Sequence, residues 1–336
     1  MKNSLIALAL TSFAMPALAL EPLSGEKGWS GALNLGIGSG GVESNFLARI
    51  SGIDLDLGDD TIATLDAPDD ESITTLAGAF NVGYTFSNGK TRAYLANDLT
   101  DFIEFDRSTQ LAVRHDFDHY GTLELAAITS VALQTEVWED PYATDVSRDE
   151  TEKSYGGARI TWDRIWGSGF ELIATVRDQE IDEERSGQSL GLSLAEQALL
   201  NREGDLVDVE LAYLADLGGG HSLRPRAIYV DRDLDGSAMT QDGAGVGITY
   251  RMATDAYIWE ADLEYVSMDG DAQNPIFDEI NDADRTAIST KLLLPGLFGL
   301  KDWTPNVGAM WGEVDSDIDF NDSKVWMISI GAFRRF

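Results

Sequence analysis

The sequence predicts an all-β chain: a transmembrane antiparallel up-and-down β-barrel of about 14 strands. Three observations predict it. Segments of roughly ten residues alternate apolar and polar side chains, the spacing of a strand with one apolar face. The connections between them alternate short and long. After residue 20, no segment approaches the ~20 consecutive apolar residues that a helical span needs.

The N-terminus reads as an export signal. Lys2 is its positive start, Leu5 to Met15 its apolar run, and Ala17-Leu18-Ala19 its small-residue cleavage site. Pro16 breaks the run just before that site. The expectation is a leader over 1–19 and one barrel domain over 20–336.

The strands follow in order. The first lies near Trp29–Gly38, with Trp29, Leu33, Leu35 and Ile37 on one face. Thr74–Phe86 gathers Phe80, Val82, Tyr84 and Phe86, and Ser87-Asn88-Gly89-Lys90 reads as a type I′ hairpin. Thr91–Leu99, Ser108–Phe117 and Thr122–Gln134 continue the alternation. Ser154–Asp163 sets Ala158, Ile160 and Trp162 against Gly157, Arg159 and Thr161, and Phe170–Arg177 repeats the pattern. Leu206–Ala215, Ser222–Val230, 244–251 and 257–265 follow, with Gly218-Gly219-Gly220 as a turn. Arg285–Leu294, Trp303–Val314 and Lys324–Phe336 finish the chain. Ile50–Leu57 alternates well enough to be one more strand and boundaries blur over Leu95–Gln110, so twelve or sixteen strands also fit.

A soluble β-sandwich is the competing fold. It fits less well, because the polar face carries Arg and Glu that a dry core would not accept. Aromatic residues also gather at strand ends, as two interfacial girdles. Tyr84, Phe86, Phe117, Tyr120, Trp162, Trp166, Phe170, Tyr257 and Trp303 fall near the short turns. Trp138, Tyr142, Tyr155, Tyr265, Trp311 and Trp326 fall near the long loops.

The last segment, Val325 to Phe336, resembles the C-terminal strand of Gram-negative outer-membrane proteins. Phe336, Ala332, Ile330, Ile328 and Trp326 match that pattern, and Arg334 departs from it. The resemblance implies the cell outer membrane, contact with its lipid and lipopolysaccharide, and an assembly signal at Phe336 that the barrel-assembly machinery reads. The chain is also similar in length and layout to gammaproteobacterial outer-membrane barrels of unassigned function.

Composition narrows the function. With 58 acidic against 24 basic residues the formal charge is −34, which excludes a basic nucleic-acid surface. The regular alternation and aromatic content argue against disorder. There is no cysteine, hence no disulfide or thiolate site. A surface hydrolase would need a histidine near the outer rim, and His115, His119 and His221 all fall beside the short turns. We therefore expect no enzyme.

Parity places Arg159, Arg177, Arg224, Arg226 and Arg251 inside, with Glu171, Asp208, Glu210, Glu260, Asp262 and Glu264. Opposed rings of these charges would set a field across a water-filled lumen. The same residues would instead close a narrow barrel by pairing. The outer loops, 54–71, 136–152, 178–203, 231–242, 269–284 and 315–322, hold well over half of the acids. Asp315, Asp317 and Asp319 alternate in one of them and suggest a weak Ca²⁺ site; no other cofactor is expected. Ser193-Leu194-Ala195-Glu196 is a capping box opening a short helix, either folded inward or lying on the rim. The expectation is a passive channel for small hydrophilic solutes, preferring cations. The alternative is a non-conducting surface barrel, and an outer-membrane hydrolase comes third.

Overall fold

A computed structural model describes residues 23, 25–50, 55–101, 103, 106–130 and 135–336. The expected leader over 1–19 lies outside the described residues. Fourteen strands form one closed antiparallel wall. They are β1 (Gly28–Ser44), β2 (Asp70–Thr85), β3 (Thr91–Asp101), β4 (Asp106–Asp116) and β5 (Thr122–Thr129, resumed at Thr135–Trp138). Next come β6 (Glu150–Asp163), β7 (Phe170–Ile181), β8 (Gly204–Tyr213), β9 (His221–Leu234) and β10 (Gln241–Ala253). The last are β11 (Ile258–Gly270), β12 (Ala283–Leu293), β13 (Thr304–Ser316) and β14 (Ser323–Arg335). β1 pairs with β14 from Ala32↔Arg335 to Ser44↔Ser323, which closes the sheet.

The alternating side chains sort as the wall requires. Leu111, Val246 and Ile330 point out and are 61%, 63% and 63% exposed, and Leu125, Ile248 and Ile328 join them. An apolar belt around a closed wall belongs in a bilayer, and a single-chain barrel of this form is an outer-membrane protein. Phe336 ends the belt. Its backbone exchanges two hydrogen bonds with Gly31, at 2.8 and 3.0 Å, and its ring lies where a Cβ on Gly31 would sit.

Three local expectations are corrected. In the turn at 87–90 Gly89 alone has positive φ, whereas type I′ needs two such residues. Asn88 instead uses its side chain, whose Oδ1 accepts from the backbone N–H of Lys90 (3.1 Å) and Thr91 (3.0 Å). The alternation at Ile50–Leu57 is not a wall strand. Leu47–Ile50 pairs with Leu55–Asp56 and with Thr135–Trp138 as part of the first outer connection. Finally, Trp138, Tyr142 and Tyr155 are buried, not in the outer girdle. Tyr155 shares the inward parity of Arg159, and the other two lie beneath the outer loops.

Most strands run several residues further outward than the alternation suggests. β1 reaches Ser44, β7 Ile181 and β9 Leu234. The barrel therefore stands taller on the loop side, and the residues added there form the upper part of its interior.

Candidate functional site: a lumen in two tiers

The interior divides by height. The lower tier, toward the short turns, is charged. On β9, Arg224 pairs with Glu171 of β7 and lies 3.5 Å from Glu210 of β8. Arg226 reaches the other way, to Asp262 and Glu264 of β11, each at 2.8 Å, and stands 3.6 Å from Glu210. That reach crosses β10 at Gly247, where a Cβ would collide with the Arg226 guanidinium. Thr249 donates to Asp262 at 2.5 Å and completes the group.

Around this centre, Arg177 bonds Asp208 at 3.0 Å and lies over the Tyr155 ring. Arg159 donates to Thr175 at 3.0 Å. Arg251 stands 3.9 Å from Glu260, and Arg285 stands 4.0 Å from Glu264. All eleven charged residues expected inside are thus brought to the inner wall, but not as opposed rings. Bases and acids neighbour one another on adjacent or next-adjacent strands and pair locally.

The tier also holds charges that the alternation did not single out: Arg114, Glu124 and Lys291, all buried. Their parity was available, since Arg114 alternates with the outward Val113 and Glu124 with Leu125. The glycines Gly243, Gly245 and Gly247 of β10 are a second missed signal. They mark the strip over which a long side chain can lie.

The upper tier is mainly apolar. Val42, Ile73, Ile181, Met310, Val325 and Met327 meet inside the barrel, with Leu47, Ile50 and Leu57 of the first outer connection packed among them. Beside them, Ile228 and Val230 of β9 pack with Val266 and Met268 of β11. Within this tier lies a cavity of about 150 Å³.

A cap covers the tier. Tyr142 and Phe320 stack with centroids 5.0 Å apart, and Phe46 and Phe277 set their rings against Phe320 at 5.7 and 5.6 Å. Leu200, Ala238 and Ile318 fill the gaps, so six separate outer connections meet in one apolar cluster. Arg148 pins two of them. Its guanidinium donates to the carbonyls of Asn45, Pro141 and Asp59 and stacks on Trp138 at 4.4 Å. Burial pulls this guanidinium down to about 10. The acids of these loops thus surround an apolar cluster, and some of them, such as Glu184 and Asp140, are taken up by bonds within the loops.

The short helix is Leu194–Ala198, with both bonds of its capping box made. It lies on the rim, with Leu194 83% exposed, while Leu192 before it and Leu199 and Leu200 after it enter the cap. Asp315, Asp317 and Asp319 are exposed on one side, but the strand ends at Ser316 and Asp319 opens a tight turn. Among the described residues no group of three or more His, Asp or Glu is arranged to hold a metal. His115 bonds Thr91 at 2.7 Å and His221 bonds Tyr250 at 2.6 Å, both beside short turns.

A family model covers this whole wall, matching residues 28–333. The chain belongs to the DUF2860 family, described as a protein of unknown function. No curated protein matches the chain. Among solved structures it is similar to a Pseudomonas aeruginosa FadL homologue, with 10% identity, TM-score 0.46 and coverage of 93% of this chain and 92% of that one. It is also similar to the outer-membrane channel DcaP of Acinetobacter baumannii, with 11% identity, TM-score 0.44 and coverage of 97% and 100%.

Proposed function

We propose that this protein is an outer-membrane channel for the passive passage of small solutes, held shut at rest by its cap. The observation that carries the reading is a cavity inside the barrel, above a polar lower tier and beneath a cap made of loops. The loops meet through side chains and through a few backbone hydrogen bonds, such as Asp145 N–H to the Ile62 carbonyl (2.8 Å) and Ala238 N–H to the Leu199 carbonyl (3.0 Å). None of these belongs to the ladder of the wall, so the loops can part without breaking it. The paired charges of the lower tier suit polar solutes. The upper tier asks that they also present apolar surface. Acids and bases pair locally inside, so any preference for cations comes from the acidic outer loops and not from the lumen. It should then fade at 1 M salt, where screening shortens to about 3 Å.

The same cap favours a second reading, a permanently sealed barrel that serves the envelope. Phe320→Ala separates the two. Removing this ring costs the cap roughly 3–5 kcal/mol of packing while leaving the wall intact. In planar bilayers the wild type should open briefly and rarely, and Phe320→Ala should conduct persistently while keeping heat-modifiable migration. If the variant conducts no more than the wild type at any voltage, the sealed barrel is the correct reading.

A further inference from the structure

We propose that the cavity beneath the cap binds a ring-sized anion: an apolar body about as large as one six-membered ring, with an anionic group on one side and a hydroxyl donor on the other. The inference rests on the reading of this cavity as a station on the solute path.

Size comes first. A cavity of about 150 Å³ is the volume that holds a single benzene ring. Leu47, Ile181, Met268 and Val314 contribute apolar wall, which suits such a body.

Charge decides the next feature. Lys153, Arg202 and Arg232 line the cavity, and no Asp or Glu is among its lining residues. This happens in a chain with 58 acids and 24 bases. Lys153 and Arg202 are both 6% exposed. Arg202 is fixed in place by Glu184 at 2.7 Å and the Trp138 carbonyl at 2.8 Å. A cationic wall of low polarity selects for an anion and against a cation.

The third feature is an orphan acceptor. Gln241 donates to the Asn281 carbonyl at 2.5 Å, and Ser316 donates to Asn281 Oδ1 at 2.7 Å. Asn321 Nδ2 donates to the same oxygen at 2.8 Å. That bond fixes the Asn321 amide, whose Oδ1 is buried and accepts nothing. Asn321 is 8% exposed and lines the cavity. A ligand donor satisfies it. An ammonium donor would meet the three cations, so the donor is a neutral one, and a hydroxyl is the simplest that a ring of this size carries.

The test is calorimetric titration of the refolded full barrel in detergent with 4-hydroxybenzoate, benzoate, benzyl alcohol and benzylamine. Benzoate should bind about tenfold tighter than benzyl alcohol, the gain of one charge-assisted hydrogen bond. 4-Hydroxybenzoate should bind tighter still, and benzylamine weakest. Lys153→Met should remove the advantage of the acid and leave the alcohol unchanged, and Lys153→Arg should keep it. Asn321→Leu should erase only the advantage of 4-hydroxybenzoate over benzoate. Equal binding of acid and alcohol, a preference for the amine, or no binding to both the wild type and Phe320→Ala overturns the inference. Liposome swelling on the same preparations separates it from the channel reading. Binding without flux defeats the channel alone, and flux without a preference for acids defeats this inference alone.

Discussion

The two tiers of the lumen are built on the same strands with the same inward parity, yet they differ in chemistry: paired charges below, and above them a mainly apolar lining with Lys153, Arg202 and Arg232 at its cavity. On β9 the inward series runs Arg224, Arg226, Ile228, Val230 and, at the cavity, Arg232; on β11 it runs Glu260, Asp262, Glu264, Val266, Met268. The register aligns the change. Arg226 and Glu264 face Gly247 of β10 from either side, and Ile228 and Val266 face Gly245. One step of the pleat, about 7 Å along the strand, separates a charged row from an apolar one. Parity decides which side chains enter the lumen. Height decides what they must be: at this step of the pleat the lower row is held by partners and the row above it by shape.

The sharpest way to break this comparison is to remove one partner. Arg226→Met leaves the half-buried Asp262 and Glu264 without their shared cation, with only Arg285 still near Glu264, and should cost about 3 kcal/mol. One row higher, Val266→Ala removes only apolar contact and should cost about 2 kcal/mol. Urea unfolding of the refolded barrel measures both. If the two costs are equal, or Arg226→Met costs less than about 1 kcal/mol, the lower tier is solvated and its pairs contribute little.

This asymmetry explains what could be read from the chain alone. A period of two is fixed by local geometry, so strand identity, inward parity and closure at Phe336 were all legible in the alternation. The charged tier was legible for the same reason. The upper tier was not. Its apolar inward residues interrupt the polar face: Ile228 lies inside the expected strand Ser222–Val230 but does not read as lumen lining, and Val266 falls just beyond the expected strand 257–265. The cap was hidden more deeply. Phe46, Tyr142, Phe277 and Phe320 lie in four different connections, and only the closed wall brings them together. Their acidic neighbours dominate the composition of those loops, and that composition describes the outer surface. The coincidence of a cationic cavity with an acidic chain is also a property of assembly, since Lys153, Arg202 and Arg232 have no common spacing.

The wall itself differs between the tiers, and this sharpens the comparison further. Among the described residues β2 and β3 pair from Asn81↔Ala96 to Thr85↔Arg92, low in the barrel. Above that, Asn97 stands in for the ladder. Its side-chain oxygen accepts from the Phe80 N–H at 2.6 Å, and its amide donates to the Gly78 carbonyl at 3.2 Å. Asn97→Leu should therefore cost about 1–2 kcal/mol and loosen this seam alone. Amide exchange at Phe80 should accelerate, while exchange across the β13–β14 seam should not change. Uniform acceleration around the barrel would mean that Asn97 supports the fold as a whole rather than one weak join.

The smallest effect lies at the top of the cap. Asp322 accepts from the Ser316 N–H at 2.8 Å, in the turn that carries Phe320. Burial pushes its carboxyl above the ordinary 3.8, and Asp315, Asp319 and Glu313 push it the same way. A carboxyl raised in the folded state binds its proton more tightly there than in the opened loop. Its contribution to stability is full below 3.8 and is lost as pH rises through the raised folded value. The turn should therefore be held more firmly in mild acid than at neutral pH. Exchange protection at Ile318 and Asn321, corrected for intrinsic rates, should fall as pH rises through that window. Asp322→Asn carries no titrating group, so its protection should be flat over the same range. Protection that rises with pH in the wild type would mean that the charged carboxylate, bonded to the Ser316 N–H, is the form holding the turn.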